Sequence, residues 1–217
     1  MRDLVISYAT KGREDYPEMM KKLITSSKLL ECDKRFYTPA YTSHDDVECI
    51  NEVCDMTIPY KFKYDLIQKA IDDGYERIWW LDSSMNIQRN IFDLFTLSPI
   101  VCFHNLGHPL RKYISDDCAR RLGATLNEQQ IWGGALGFDF TRYRTKEIWK
   151  RITDSFECFK EGGSIRPEFI AHRHDQATLS VIFEQEGIKP LPYGMIVCKP
   201  HDMTKEYSSA YYIVYGK

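Results

Sequence analysis

The sequence predicts an α/β protein with a mainly parallel sheet flanked by helices. Short runs of β-branched and aromatic residues alternate with longer segments whose apolar residues recur at helical spacing. The run Ile78-Trp79-Trp80-Leu81 is apolar without alternation, which indicates a strand buried on both faces, as parallel strands are. Strands that alternate with helices in this way favour parallel pairing through helical crossovers.

The first half of the chain opens with a strand and a helix. Pro17 suits the first turn of that helix, and Gly74 suits the end of the next one. The predicted elements are a strand at 4–8, a helix at 16–30, a strand at 34–38, an irregular polar segment at 40–58, a helix at 62–71 and the strand at 77–81.

The second half continues the alternation. Thr145 is the expected N-cap of one helix, Asp175 is a candidate cap of the next, and Gly187 ends it. The predicted elements are a strand at 99–103, a short helix at 116–122, a glycine-rich strand at 133–138, a helical stripe at 148–159, a helix at 175–183 and a short strand near 189–197. No repeat or linker interrupts the chain, so residues 1–217 are expected to form a single domain.

Composition excludes several classes. Lys and Arg number 29 against 31 Asp and Glu, a formal charge of −2, which argues against a broadly basic nucleic-acid binder. No apolar run approaches the roughly 20 residues of a membrane-spanning helix, and the first residues do not form a signal peptide. The seven cysteines form no CxxC pair, which indicates reduced thiols. We therefore expect a cytoplasmic protein without a membrane span or a structural zinc site.

The candidate site follows from the sheet. Ligands of such sheets bind beyond the carboxyl ends of the strands, which directs attention to Tyr8-Ala9-Thr10 and Asp82-Ser83-Ser84. The Asp82 carboxylate has the oxygen chemistry that Mg²⁺ and Mn²⁺ prefer. The alternative is an aspartate that only caps the turn after the strand.

Four further motifs follow one another in an informative order. An aromatic and basic helix start, Tyr60-Lys61-Phe62-Lys63-Tyr64, precedes the strand that ends in Trp80-Leu81-Asp82-Ser83-Ser84. Gly133-Gly134-Ala135-Leu136-Gly137-Phe138, Asp175-Gln176-Ala177-Thr178-Leu179-Ser180 and His201 come later. This succession resembles the GT-A glycosyltransferases, whose fold is Rossmann-like. It is most similar to their glycogenin-like and bacterial galactosyltransferase branch.

The resemblance implies a hexosyl- or pentosyltransferase. Such an enzyme moves a sugar from a nucleotide-diphosphate donor, with a uridine diphosphate sugar favoured, to an acceptor hydroxyl. The branch implies retention of configuration, whereas Asp175 acting as a base would give inversion. The resemblance does not identify the acceptor. The acceptor could be a glycan, a protein, a small molecule or, as the least favoured option, a modified DNA base.

The resemblance also implies roles for residues. Asp175 and Gln176 are the expected catalytic pair. The expected donor-binding residues are Tyr8, Ala9, Thr10, Lys63, Asp82, Ser83, Ser84, Gly133, Gly134 and Lys205. Asp82, Ser84 and His201 are the expected ligands of a divalent Mn or Mg ion. Because Ser84 stands where the family has its second Asp, that ion is expected to be weakly held or dispensable.

Structural interpretations stand beside these. The Gly133-Gly134 pair could simply permit a bulge in the strand. Lys61 and Lys63 are interpreted as solvated charges on a helix, and His172 as a surface residue. Trp79 and Trp80 are expected in the core, Asp175 could be a helix cap alone, and His104 and His108 could face the cleft. Two other functions remain open: a nucleotidyltransferase-type enzyme, and a non-catalytic module that binds nucleotide sugars or carbohydrates.

Overall fold

The computed structural model describes residues 1–9, 16–38, 49–50, 54–192, 197–198 and 212–215. Its strands are β1 (Asp3–Tyr8), β2 (Asp33–Tyr37), β3 (Cys49–Ile50), β4 (Arg77–Leu81), β5 (Met85–Ile87), β6 (Ile100–Pro109), β7 (Gln129–Asp139), β8 (Val197–Cys198) and β9 (Ile213–Tyr215). Its α-helices are α1 (Tyr16–Ser27), α2 (Lys61–Asp72), α3 (Asp116–Leu122), α4 (Tyr143–Thr153) and α5 (His174–Gln185). Short 3-10 helices lie at Ile91–Thr96, Leu110–Lys112 and Phe156–Phe159. The α/β class and the flanking helices are confirmed.

The main sheet has six strands in the order β3-β2-β1-β4-β7-β6. Parallel pairing joins β3, β2, β1 and β4, as predicted. β7 runs antiparallel to both of its neighbours, so the sheet is mixed, with three parallel and two antiparallel pairings. The reason is the connection from β6 to β7: its helix α3 packs in a small cluster with Cys158, Ala177 and Val181 and does not cross the sheet. Without a crossover, consecutive paired strands run antiparallel.

Apolar side chains bury both faces of this sheet. On one face, α2, α4 and α5 pack against residues such as Ile6, Trp80 and Phe138. On the other, α1 and the 3-10 helix at 91–96 pack against Val5 and Trp79. The two tryptophans of β4 therefore point to opposite faces, and both are core residues, as predicted. This two-sided burial explains the uninterrupted apolar run in β4.

Several element boundaries differ from those predicted. The strand at 133–138 is the second half of the longer β7, and the strand at 99–103 continues to Pro109. The helical stripe divides at Thr153, where α4 ends before the 3-10 helix at 156–159. Thr145 is not an N-cap: Arg142 stands at the N-cap position of α4, without a side-chain cap hydrogen bond, and the buried Thr145 hydroxyl has no hydrogen-bond partner among the described residues. The apolar periodicity predicts the helix correctly, but it does not locate the turn that precedes the helix.

A second, three-stranded sheet has the order β5-β9-β8. β5 follows directly after the Asp82–Ser84 turn, and β9 pairs with it in antiparallel fashion. Neither β5 nor the 3-10 helix at 91–96 was predicted. Of the expected strand near 189–197, Leu191 forms a single bridge to Phe103 and β8 covers 197–198. Among the described residues, no helix is both long and apolar enough to cross a membrane.

Candidate functional site

A polar cavity of about 290 Å³ lies at the carboxyl end of β4. The parts of the chain that form it are the first turns of α2 and α5, the turn after β4 and the first half of β7. Its lining residues are Tyr60, Lys63, Asp82, Trp132, Gly133, Gly134, His172, Arg173, His174, Asp175 and Gln176. Six of the residues proposed from the sequence, Lys63, Asp82, Gly133, Gly134, Asp175 and Gln176, therefore line one cavity.

The sheet register brings β7 and Asp82 together. Leu81 at the end of β4 pairs with Ala135, and the backbone N–H of Asp82 donates to the Gly134 carbonyl over 2.8 Å. β7 begins at Gln129, so its first residues extend past the end of β4. This extension supplies the glycine-rich backbone that lines the cavity next to Asp82.

Lys63 occupies the centre of the site. Its ammonium nitrogen lies 3.3 Å from Asp175 Oδ2 and 3.5 Å from Asp82 Oδ1, and it donates to the Gly133 carbonyl over 3.1 Å. The side chain is only 5% exposed. The interpretation of Lys63 as a solvated helix charge is therefore wrong. Lys61, two residues earlier, fits it better, because its side chain is more exposed and pairs with Asp65 on the same helix.

Two carboxylates keep Lys63 charged. Burial alone would lower the pKa of its ammonium, but Asp175 and then Asp82 outweigh burial and raise that pKa above its usual range. The site therefore contains a permanent positive charge between two carboxylates.

Asp175 is the more buried of these carboxylates. It accepts a hydrogen bond from the Tyr64 hydroxyl over 3.3 Å at Oδ2 and from the backbone N–H of Gln176 over 2.9 Å at Oδ1. Burial raises the pKa of Asp175, while the Lys63 charge opposes that rise. The residue lies in the first turn of α5, whose N-cap is Arg173, so Asp175 is not the helix cap.

Gln176 fixes the start of α5 to β7. Its side-chain amide donates to the Ile131 carbonyl over 2.8 Å. A Cβ on Gly133 would approach Gln176 Cγ to 3.1 Å, so glycine at this position allows the helix and the strand to lie close together.

Asp82 is the more accessible carboxylate, with 42% of its side chain exposed. Oδ1 accepts from the Trp80 indole N–H over 2.9 Å, while Oδ2 has no donor among the described residues. The side chain does not cap the turn: the N–H of Met85 donates to the backbone carbonyl of Asp82. One carboxylate oxygen is thus available to a ligand hydroxyl.

Two residues with unusual backbone conformation form part of the cavity rim. Tyr60 has φ 62° and His174 has φ 37°, both in the left-handed region that side chains other than glycine rarely adopt. Each stands at the start of a helix, and their rings contact each other in a tilted arrangement, with centroids 5.4 Å apart and planes inclined by 35°. Strained backbone of this kind concentrates at functional sites.

Tyr60, Trp132 and Arg173 were missed as site residues. Tyr60 opens a recognised motif, Trp132 directly precedes another and Arg173 lies two residues before a third, and that proximity was the available signal. The Arg173 guanidinium stacks on the Tyr113 ring at 4.7 Å and has no carboxylate partner among the described residues. The rim of the cavity therefore carries a guanidinium that pairs with no carboxylate in the part of the chain that the structure describes.

His172 is buried, so its interpretation as a surface residue is wrong. Its Nδ1 accepts from the Ser115 N–H over 3.1 Å and its Nε2 donates to the Cys158 carbonyl over 2.7 Å. Burial lowers the pKa of the imidazole. His172 is therefore a neutral residue that anchors the segment leading into α5.

Other predicted site residues do not line the cavity. Tyr8 is buried, with its ring 5.0 Å from that of Phe62, and Ala9, Ser83 and Ser84 are likewise absent from the lining. His104 lines a different cavity, of about 360 Å³, beside the C-terminal part of α5. Thr10, His201 and Lys205 lie outside the described residues.

The described residues do not form a ready metal site. Within them, no three His, Cys, Asp or Glu side chains come close enough together to hold an ion. Asp82 Oδ1 already accepts from Trp80 and lies beside the Lys63 ammonium, a cation that repels a second one. The expectation that His201 contributes a ligand stays a prediction.

No protein-family model matches the chain, and none of the curated proteins matches it. The fold and the cavity define an α/β protein with a buried lysine–carboxylate cluster at the carboxyl edge of its sheet.

Proposed function

We propose that this protein is a GT-A glycosyltransferase that moves a sugar from a nucleotide-diphosphate donor to an acceptor hydroxyl. The observation that carries the proposal is the convergence of Lys63, Asp82, Gly133, Asp175 and Gln176 on one cavity. These residues come from four separated motifs, and their resemblance to the family rested on order along the chain alone. A cytoplasmic location, a single domain and a uridine diphosphate sugar as favoured donor are parts of this proposal.

Glycosyl transfer in this cavity needs a bound sugar, a neutralised leaving group and a place for one proton. The bond between the anomeric carbon and the diphosphate oxygen breaks, and a bond from that carbon to the acceptor oxygen forms. The acceptor proton leaves with the released nucleoside diphosphate. Arg173 and the N-terminal turn of α5 supply positive charge and donors for the leaving diphosphate.

Asp82 and Asp175 have different roles: Asp82 binds the sugar, and Asp175 stabilises charge on it. The unengaged Oδ2 of Asp82 accepts a sugar hydroxyl. Asp175 already accepts hydrogen bonds at both oxygens, so it suits stabilisation of positive charge at the anomeric carbon better than removal of a proton. This assignment favours retention, with the leaving phosphate oxygen as the base.

The test is a donor screen with a matched pair of variants. Purified protein is incubated with a panel of nucleotide sugars, calorimetry measures binding, and NMR measures slow donor hydrolysis. We expect one donor to bind and hydrolyse, and Asp82→Ala to abolish hydrolysis without loss of fold. Asp65→Ala removes an exposed carboxylate on α2 and should leave hydrolysis unchanged.

Three outcomes would contradict parts of the proposal. Near-normal hydrolysis by Asp82→Ala would place the donor elsewhere. Binding without any turnover would favour a non-catalytic nucleotide-sugar module. Turnover of nucleoside triphosphates, with no binding of nucleotide sugars, would favour a nucleotidyltransferase.

A further inference from the structure

The position that Lys63 occupies has the surroundings of a cation site. Around its nitrogen lie a carbonyl oxygen at 3.1 Å and carboxylate oxygens at 3.3 and 3.5 Å, from Gly133, Asp175 and Asp82. All three contacts are oxygen atoms, the atom type that Mn²⁺ and Mg²⁺ prefer. A side-chain ammonium thus fills a place in which a divalent ion would otherwise find suitable ligands.

The lysine is held there by more than charge. The ammonium also lies 5.0 Å from the centre of the Tyr60 ring and 5.5 Å from that of Trp80, within the range of cation–π attraction. The stem of the side chain is buried between the sheet and α2. Because both ion-pair partners are carboxylates, loss of the lysine would leave two buried or half-buried negative charges without a counter-charge.

We propose that Lys63 is the permanent cation of this cavity, and that donor binding and cleavage therefore need no divalent metal ion. The first statement, that Lys63 is the cation of the cavity, concerns the chain alone. The second statement, that no metal ion is needed, rests on the proposed glycosyltransferase function. Lys63 offsets one of the two carboxylate charges that would otherwise repel an anionic donor. Arg173, which pairs with no carboxylate among the described residues, remains to meet the diphosphate.

The first test measures Mn²⁺ binding by calorimetry on metal-free protein without nucleotide. We expect Lys63→Ala to bind Mn²⁺ at least tenfold more tightly than the wild type, because the variant exposes an all-oxygen site. Lys63→Arg keeps the charge and should bind Mn²⁺ as weakly as the wild type does. The matched control is Lys61→Ala, which removes a lysine from the same helix turn and should change nothing.

Equal Mn²⁺ affinity in the wild type and in Lys63→Ala would overturn the first statement. If Lys63→Ala does not fold, as judged by circular dichroism, Asp82→Asn in the presence of Lys63 decides instead. We expect the wild type and Asp82→Asn to show the same weak Mn²⁺ binding. A clear loss of Mn²⁺ binding in Asp82→Asn would mean that the wild-type site already holds the metal.

The second test separates this inference from the proposed function. Wild-type protein is treated with chelator, and hydrolysis of its donor is compared with and without added Mn²⁺. Rates within threefold of each other support metal independence, and a larger loss in chelator overturns it while the glycosyltransferase proposal stands. If no nucleotide sugar binds under either condition, the proposed function fails, and the Mn²⁺ titration still decides the role of Lys63.

Discussion

At the scale of single residues, Asp175 shows how position sets chemistry. The sequence alone shows an aspartate near the start of a predicted helix, which is a common position for this residue type. The structure puts it beside Lys63 and Tyr64, with its side chain 5% exposed. Burial raises its pKa and the lysine charge limits that rise. The carboxylate form of Asp175 therefore prevails only above a pH higher than an ordinary aspartate needs.

This environment predicts the acid limb of the pH profile. Donor turnover should rise as pH increases through the pKa of Asp175, with a midpoint above the value of about 4 for an unperturbed aspartate. Asp175→Asn should remove this limb and lower turnover at least tenfold, with little change in donor affinity. Turnover and calorimetric affinity measured across pH 4 to 8 check both expectations. Unchanged turnover in Asp175→Asn would reduce the residue to a structural role.

The site was predictable from sequence where chemistry and motif coincide. Asp82, Asp175 and Gln176 were found because their residue types and order are informative. Lys63 was included, but its burial was not foreseen, since a lysine near a helix start is usually solvated. The surroundings of Arg173 depend on tertiary contacts that no local pattern records.

At the scale of elements, β7 is the strand that departs most from expectation. Its glycines were read as one motif, yet they face different neighbours. Gly133 contacts α5, whereas a Cβ on Gly137 would approach the Trp79 ring to 2.9 Å in the core. The antiparallel direction of β7 depends on where α3 packs, and apolar periodicity contains no information about strand direction.

The packing of β7 makes a prediction about stability. Gly137→Ala should destabilise the protein by about 1–3 kcal/mol, because the buried Trp79 ring has no room to shift. In a protein of this size that corresponds to a fall in Tm of several degrees, measured by differential scanning calorimetry. Gly163→Ala is the control, since a Cβ there meets nothing within 4 Å. Equal Tm values for the two variants would show that β7 can move away from Trp79.

At the scale of the whole molecule, burial on both faces of the sheet fixes the fold, and His172 joins the segment before α5 to Ser115 and Cys158. The sequence predicted the class and most elements because buried strands and amphipathic helices leave periodic patterns. The second sheet was missed because β5 and β9 are short and far apart along the chain, with no pattern to connect them.

The buried His172 gives the molecule a pH-dependent stability. Because its folded-state pKa lies below 6.5, the unfolded chain binds a proton more readily as pH falls through about 6.5. Its contribution therefore lowers the free energy of unfolding towards acid pH, by at most about 1.4 kcal/mol per pH unit. Urea unfolding at pH 7.5 and 5.5 should show a smaller difference in His172→Asn than in the wild type. Asp175 acts in the opposite direction, but it is common to both proteins and does not affect this comparison.

If His172→Asn and the wild type lose the same free energy between these pH values, the imidazole is not held neutral in the folded protein.

The glycine backbone of β7 has a consequence for how this protein can change over generations. A point mutation exchanges side chains but not main chain, and a Cβ would come to 3.1 Å from Gln176 at Gly133 and to 2.9 Å from Trp132 at Gly134. Substitutions that change which ligand is preferred should therefore be tolerated mainly at the rim of the cavity, at residues such as Tyr60 and Arg173. Relatives with new preferences should keep the glycine pair and diversify those rim positions.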